Sequence, residues 1–117
     1  MIFGLSFSLL CNAIAQVESD NGATSSNVYQ IRDIYIDDVN RIYNLQLSYN
    51  VKYDRESSEK AMRLYWLHYG ERYTRLTGKP VTYEVLARIH NGGPDGFKKY
   101  STKKYWKAIK RHLPDSE

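Results

Sequence analysis

The chain is 117 residues long and holds a single cysteine, Cys11. One thiol excludes an intramolecular disulfide and any zinc site built on cysteines. Histidine is scarce as well: His68, His90 and His112 are far apart and lack the spacing of metal ligands. No metal or other cofactor is expected. No Lys or Arg precedes Arg32, so the apolar N-terminal stretch lacks the basic start of a signal peptide. That stretch is also too short, and too polar along one side, to span a membrane. There is no internal repeat, no glycine-rich phosphate loop and no GxSxG sequence. Acidic residues are sparse at the far end. Beyond Phe97, only Asp115 and Glu117 oppose Lys98, Lys99, Lys103, Lys104, Lys107, Lys110 and Arg111. Such a face attracts polyanions such as nucleic acid or bacterial cell wall. A merely solvated basic helix is the plainer reading. With no recognised nucleic-acid-binding motif, nucleic acid is not an expected partner.

Tyrosine is plentiful, with eleven in the chain. Its apolar ring and polar tip suit both a small core and a carbohydrate groove. The 42% apolar and 26% charged fractions are those of a folded chain rather than a disordered one. The length fits one domain, residues 1–117, with residues 1–5 expected to be loose.

Periodicity supplies most of the architecture. Phe7, Leu10, Ile14 and Val17 fall on one side of a helix, and Ser8, Asn12, Gln16 and Ser19 on the other. A cleaved leader has no reason to segregate them. Residues from about 6 to 19 therefore read as a folded amphipathic helix. The alternative is a signal peptide over residues 1–15, because Ala13-Ile14-Ala15 matches an A-x-A cleavage pattern. Glu18 lies about 70–80° round from the centre of the apolar stripe. At that edge a carboxyl can be partly desolvated and keep its proton near neutral pH. A plain surface Glu near a helix end fits the same position.

Residues 19–27 are loop-like, and Val28 to Arg32 looks short and extended. Asp33 is a candidate cap for a helix to about Asn44 with Ile34, Val39, Ile42 and Tyr43 inward. Gln46 to Tyr53 is a connector or short strand. Asp54 caps the longest helix, to about Leu76, with Met62, Tyr65, Trp66, Tyr69, Tyr73 and Leu76 on its packing face. Thr82 caps a fourth helix ending near His90, and the turn-rich stretch Asn91 to Gly96 follows. A last helix begins at Ser101 or Thr102 and runs to about His112, lysines outward. The expected fold is mainly α, with about five helices around the central aromatic one. A short extended segment or vestigial hairpin would accompany them.

Two segments carry a resemblance. Ala87-Arg88-Ile89-His90-Asn91-Gly92-Gly93-Pro94-Asp95-Gly96, with Ser101-Thr102 and Tyr105-Trp106, resembles the C-terminal signature of invertebrate-type (destabilase-like) lysozymes. Val17-Glu18-Ser19, Tyr29-Gln30-Ile31-Arg32 and Tyr35-Ile36-Asp37 resemble their catalytic stretch. Bacterial and phage lysozyme-like or lytic-transglycosylase-like proteins share these pieces, including a match to Asp38-Val39-Asn40-Arg41, and look nearer still. The resemblance runs from about residue 9 to 110.

It implies a lysozyme-like fold and cleavage of the β-1,4 bond between N-acetylmuramic acid and N-acetylglucosamine in peptidoglycan. Glu18 would be the general acid. Gln30 would lie in the cleft floor with Tyr29 beside it. His90 and Asn91 would support the cleft from across, by hydrogen bonds to sugar or backbone. Asn91-Gly92-Gly93 would either join the substrate site or serve as a turn needing small residues.

This chain departs from the family in having no disulfides and a shortened loop before Tyr29. The family's second carboxylate would fall on Asp20, only two residues after Glu18, with Asp33 in reserve. Positions two apart do not face each other on a helix. A lytic-transglycosylase route, in which Glu18 acts alone and a 1,6-anhydro ring closes, is therefore also implied. The alternative function is an inactive glycan-binding or inhibitory relative. A monomer acting outside the cytoplasm, extracellular or periplasmic, is expected from the substrate.

Overall fold

The computed structural model describes residues 5–114, so the expectation for residues 1–5 lies almost wholly outside the described residues. Among the described residues, five α-helices run in chain order: α1 Phe7–Ser19, α2 Asp33–Tyr43, α3 Arg55–Thr77, α4 Tyr83–Gly92 and α5 Lys103–Lys110. Three short 3-10 turns, Tyr49–Tyr53, Gly96–Lys98 and Tyr100–Thr102, join them. No helix among the described residues is long and apolar enough to cross a membrane.

The helix boundaries follow from local chemistry. The Ser6 hydroxyl accepts from Leu9 N and starts α1. An Asp54 carboxylate oxygen accepts from Ser57 N at 2.9 Å to start α3, and Thr82 Oγ1 accepts from Val85 N at 3.2 Å to start α4. These side chains satisfy backbone donors that have no partner inside the helix. The cap of α2 is Arg32 rather than Asp33, and it contributes no side-chain bond.

The core forms around α3, the expected central helix. Trp66 is fully buried, and its Nε1 donates to Leu86 O at 2.9 Å, tying α3 to α4. Tyr35 of α2 stacks on Tyr65 of α3 with centroids 3.8 Å apart, and Phe7 of α1 meets Trp66 edge-on at 5.7 Å. Each such aromatic pair contributes on the order of 1 kcal/mol beyond its buried area. Among the described residues, six buried aromatic side chains and aliphatic residues from all five helices thus do the work that disulfides do in a cysteine-rich chain.

Several expectations are corrected. No strand or hairpin exists among the described residues, and 28–32 is a turn followed by irregular chain. The Asn27 side chain takes the place of a neighbouring strand: Ile31 N donates to its Oδ1 and its Nδ2 donates to Ile31 O, both at 2.9 Å. The segment therefore needs no ladder partner. Leu76 and Ile34 are exposed, so the packing faces of α3 and α2 are narrower than their apolar residues suggested. The fourth helix continues past His90 through Asn91 and Gly92. The last helix starts only at Lys103, because the preceding residues are drawn into 3-10 turns.

Candidate active site

Glu18 occupies the last turn of α1, half-buried, beside Ser19. Ser19 lies on the polar side of the period, yet it is buried. Its hydroxyl donates to Val28 O at 2.7 Å and accepts from Gly22 N at 2.9 Å. Serine thus folds the short loop back over the helix end, and the chain that follows brings Arg32 near Glu18. Three elements meet there: the end of α1, the Arg32–Tyr35 start of α2, and Tyr105 on α5.

Burial raises the Glu18 pKa above its ordinary value, opposed by the Tyr105 hydroxyl and more weakly by the Arg32 guanidinium. The Tyr105 hydroxyl bears on the Glu18 carboxyl but stops short of a hydrogen bond in this structure. Glu18 is thus a carboxyl that burial inclines to hold its proton, with the Arg32 cation near enough to favour the charge left when that proton departs. Such a group suits general-acid chemistry.

The other sequence candidates separate. Asp20 is exposed in a left-handed conformation, φ 52°, and caps α1 through its backbone N–H. The helix ends one residue past Glu18, not at it. Asp33 is exposed and paired with Lys52. Neither aspartate is among the groups that set the ionisation of Glu18.

Gln30 is exposed, also left-handed at φ 52°, with Nε2 donating to Asn27 O at 2.9 Å. Tyr29 is fully buried, its hydroxyl donating to Glu59 and accepting from Arg55 Nε at 3.1 Å. Its side chain has no exposed surface in this structure.

His90 is also in the interior, only 7% exposed. Its Nε2 lies 2.9 Å from Tyr29 O and its Nδ1 3.1 Å from Tyr35 Oη. A carbonyl can only accept, so Nε2 carries the proton and Nδ1 accepts from the tyrosine. Of the two expected roles, hydrogen bonding to sugar or to backbone, the geometry leaves only the second. Burial lowers the His90 pKa to about 4, with the Tyr29 carbonyl opposing and Arg32 assisting, so the ring is neutral at physiological pH.

Asn91 accepts from the Arg32 guanidinium through its carbonyl at 3.5 Å. Arg32 therefore spans from the end of α4 towards Glu18. Gly92 is partly exposed, but a Cβ there would sit 2.6 Å from Thr102 Cγ2. Gly96 is tighter still, since its Cβ would lie 2.0 Å from Arg88 O. Arg88 completes this clamp, donating to Thr102 Oγ1 at 2.7 Å, Glu84 Oε2 at 2.7 Å and Lys99 O at 3.0 Å. Much of the Arg88–Gly96 string therefore locks α4 against the loop that presents α5 and Tyr105.

Two groups went unassigned as site residues in the sequence. Arg32 stood only inside the segment next to Glu18. Tyr105 stood only inside the family string Tyr105-Trp106, because helical period says nothing about where a hydroxyl ends. Among the described residues there is no cluster of three potential metal ligands. An apolar pocket of about 190 Å³ lies between Phe7, Leu10, Trp66 and Tyr83, at the opposite end of α1 from Glu18. It is below the roughly 300 Å³ at which small-molecule sites begin.

A lysozyme from Meretrix lusoria is 34% identical over 92 residues, spanning 79% of this chain and 70% of its own length. A lysozyme from Magallana gigas is 46% identical over 41 residues, 35% of this chain and 30% of its own. Lysozyme 1 of Crassostrea virginica is 44% identical over 41 residues, 35% of this chain and 22% of its own. No family model and no solved structure matches the chain. With the first of these relatives aligned over most of both chains, and with a mainly α fold that fits, this chain belongs to the lysozyme family.

Proposed function

We propose that the protein is a peptidoglycan glycosidase that cleaves the β-1,4 bond between N-acetylmuramic acid and N-acetylglucosamine, with Glu18 as general acid. The observation that carries this reading is the half-buried Glu18 with its raised pKa, in a chain of the lysozyme family. A protonated Glu18 gives its proton to the glycosidic oxygen as the C–O bond breaks and positive charge develops on the sugar. The carboxylate left behind is favoured by Arg32.

The bond is completed in one of two ways. Water, losing its proton to Glu18, adds to the sugar and gives a reducing end. Alternatively the substrate's own 6-hydroxyl loses its proton to Glu18 and closes an anhydro ring. The exposed cap position of Asp20 and the pairing of Asp33 with Lys52 favour Glu18 serving as both acid and base. The substrate places the work outside the cytoplasm, and the chain acts as a monomer.

The test is digestion of purified peptidoglycan by wild type, Glu18→Gln, Asp20→Asn and Asp33→Asn, with released fragments weighed by mass spectrometry. Soluble fragments from wild type and the two Asn variants, but not from Glu18→Gln, are expected. Reducing-end products mean hydrolysis, and products lighter by one water mean transglycosylation. Loss of cleavage in Asp20→Asn would restore a two-carboxylate mechanism. No fragments from folded wild type, where a control lysozyme releases them, refutes the enzyme and leaves a glycan-binding relative.

A further inference from the structure

Tyr105 Oη is buried, and among the described residues it is the side-chain polar atom left without a hydrogen-bond partner. Such an atom gives up its bonds to water and gains nothing in return, so native structures hold few of them. The groups around it limit what it can do. Glu18 reaches it from α1, and Tyr35 lies near it from α2. Arg32, just before α2, bears on Glu18. Tyr35 already spends its proton on His90 Nδ1. The Glu18 carboxyl remains as the acceptor within reach.

We propose that Tyr105 is a positioning residue whose hydroxyl donates a hydrogen bond to the Glu18 carboxylate as that group ionises during bond cleavage. The proposal rests on the reading of Glu18 as the acid.

A phenol O–H bonds an anionic carboxylate more strongly than a neutral carboxylic acid. The contact is therefore weaker while Glu18 holds its proton and strengthens as that proton passes to the glycosidic oxygen. An interaction stronger in the transition state than in the ground state lowers the barrier. The proton balance is simple. Glu18 loses its proton to the leaving oxygen and later recovers one from water or from the sugar hydroxyl. Tyr105 keeps its own throughout, because burial and the Glu18 charge push its ionisation far up. The arrangement also explains the clamp at Arg88 and Gly96: it sets the loop from which α5 carries Tyr105 to the end of α1.

The experiment compares wild type with Tyr105→Phe, which removes one oxygen from a site that makes no other bond. The 13C resonance of the Glu18 carboxyl is titrated in both, and the pH profile of cleavage is recorded. Without the donor, Glu18 titrates at higher pH in the variant. The alkaline limb of activity moves up with it, and kcat falls roughly tenfold or more, as expected for a bond to a charged group. A residue that only packs would leave the Glu18 midpoint unchanged. The same midpoint in both folded proteins overturns the proposal. The carboxyl titration needs no turnover, so an inactive wild type would refute the enzyme reading while leaving this result to stand or fall alone. Should the Phe variant fail to fold, the Tyr105 ring carbon bearing the hydroxyl is followed in wild type. It is expected to shift with the Glu18 midpoint and to lose that step in Glu18→Gln, and a flat response overturns the proposal.

Discussion

Lowering the pH should destabilise the protein through His90 well before its ordinary carboxylates titrate. The ring is buried, neutral and hydrogen-bonded at both nitrogens, with its pKa lowered from 6.5 to about 4. In the unfolded chain it accepts a proton near 6.5. A group whose folded pKa is depressed contributes stability that is fully present above the unfolded pKa and is lost as pH falls towards the folded one. The window is therefore about pH 6.5 down to 4. At 1.36 kcal/mol per unit, the loss across it is about 3 kcal/mol. That is a large share of the roughly 5–15 kcal/mol typical of a domain.

Glu18 acts in the opposite sense. Its folded pKa is raised, so it adds stability as pH falls through that value. The assay therefore compares wild type with His90→Gln, whose amide can donate to Tyr29 O and accept from Tyr35 without titrating. Urea unfolding at intervals from about pH 7.5 to 4 yields both stabilities. The advantage of wild type over the variant should shrink by about 3 kcal/mol across the range. Asp38, Asp54 and Asp95 have lowered pKa values, so their losses come below this range and do not interfere. A difference that stays constant with pH, or a His90 ring that titrates near 6.5 by NMR, would refute the reasoning.

Two further outcomes are expected. Gly96→Ala would drive a Cβ to within 2.0 Å of the Arg88 carbonyl oxygen, backbone against backbone with no side chain to yield. It should cost more than about 3 kcal/mol and lower the melting temperature by more than about 10 °C. Gly78→Ala meets no atom within 4 Å and suffers only a left-handed backbone, φ 72° and ψ 8°, so it should cost about 1 kcal/mol. Equal melting temperatures for the two variants would show that the Arg88–Gly96 contact is not a constraint. Glu18→Gln should be more stable than wild type at about pH 8, where the ionised carboxylate sits in a desolvated site, and the gain should fade towards pH 4. Chemical denaturation at the two pH values checks this, and a variant less stable than wild type at pH 8 would contradict it.

The helices and the acid candidate were legible in local sequence. Apolar period and capping residues are local, so Asp54, Thr82 and the stripe through Met62, Tyr65, Trp66 and Tyr69 marked α3 and α4 without reference to the rest of the chain. Glu18 could be put at the edge of a buried stripe for the same reason. The family string Arg88 to Pro94 could be recognised, but not what it does.

Which side chains share a space depends on packing between segments far apart in the chain. Asn27 replaces a strand partner through its amide, which no β-pattern encodes. His90 and Tyr29, expected near substrate, are held inside by each other and by Tyr35, Glu59 and Arg55, from residues up to 61 positions away. Arg32 and Tyr105 come to Glu18 because Ser19 folds the loop back and the Arg88–Gly96 clamp aims α5. The carboxyl is written in one helix, but its desolvation and its neighbours come from three elements far apart in the chain. Its chemistry therefore exists only once they have packed.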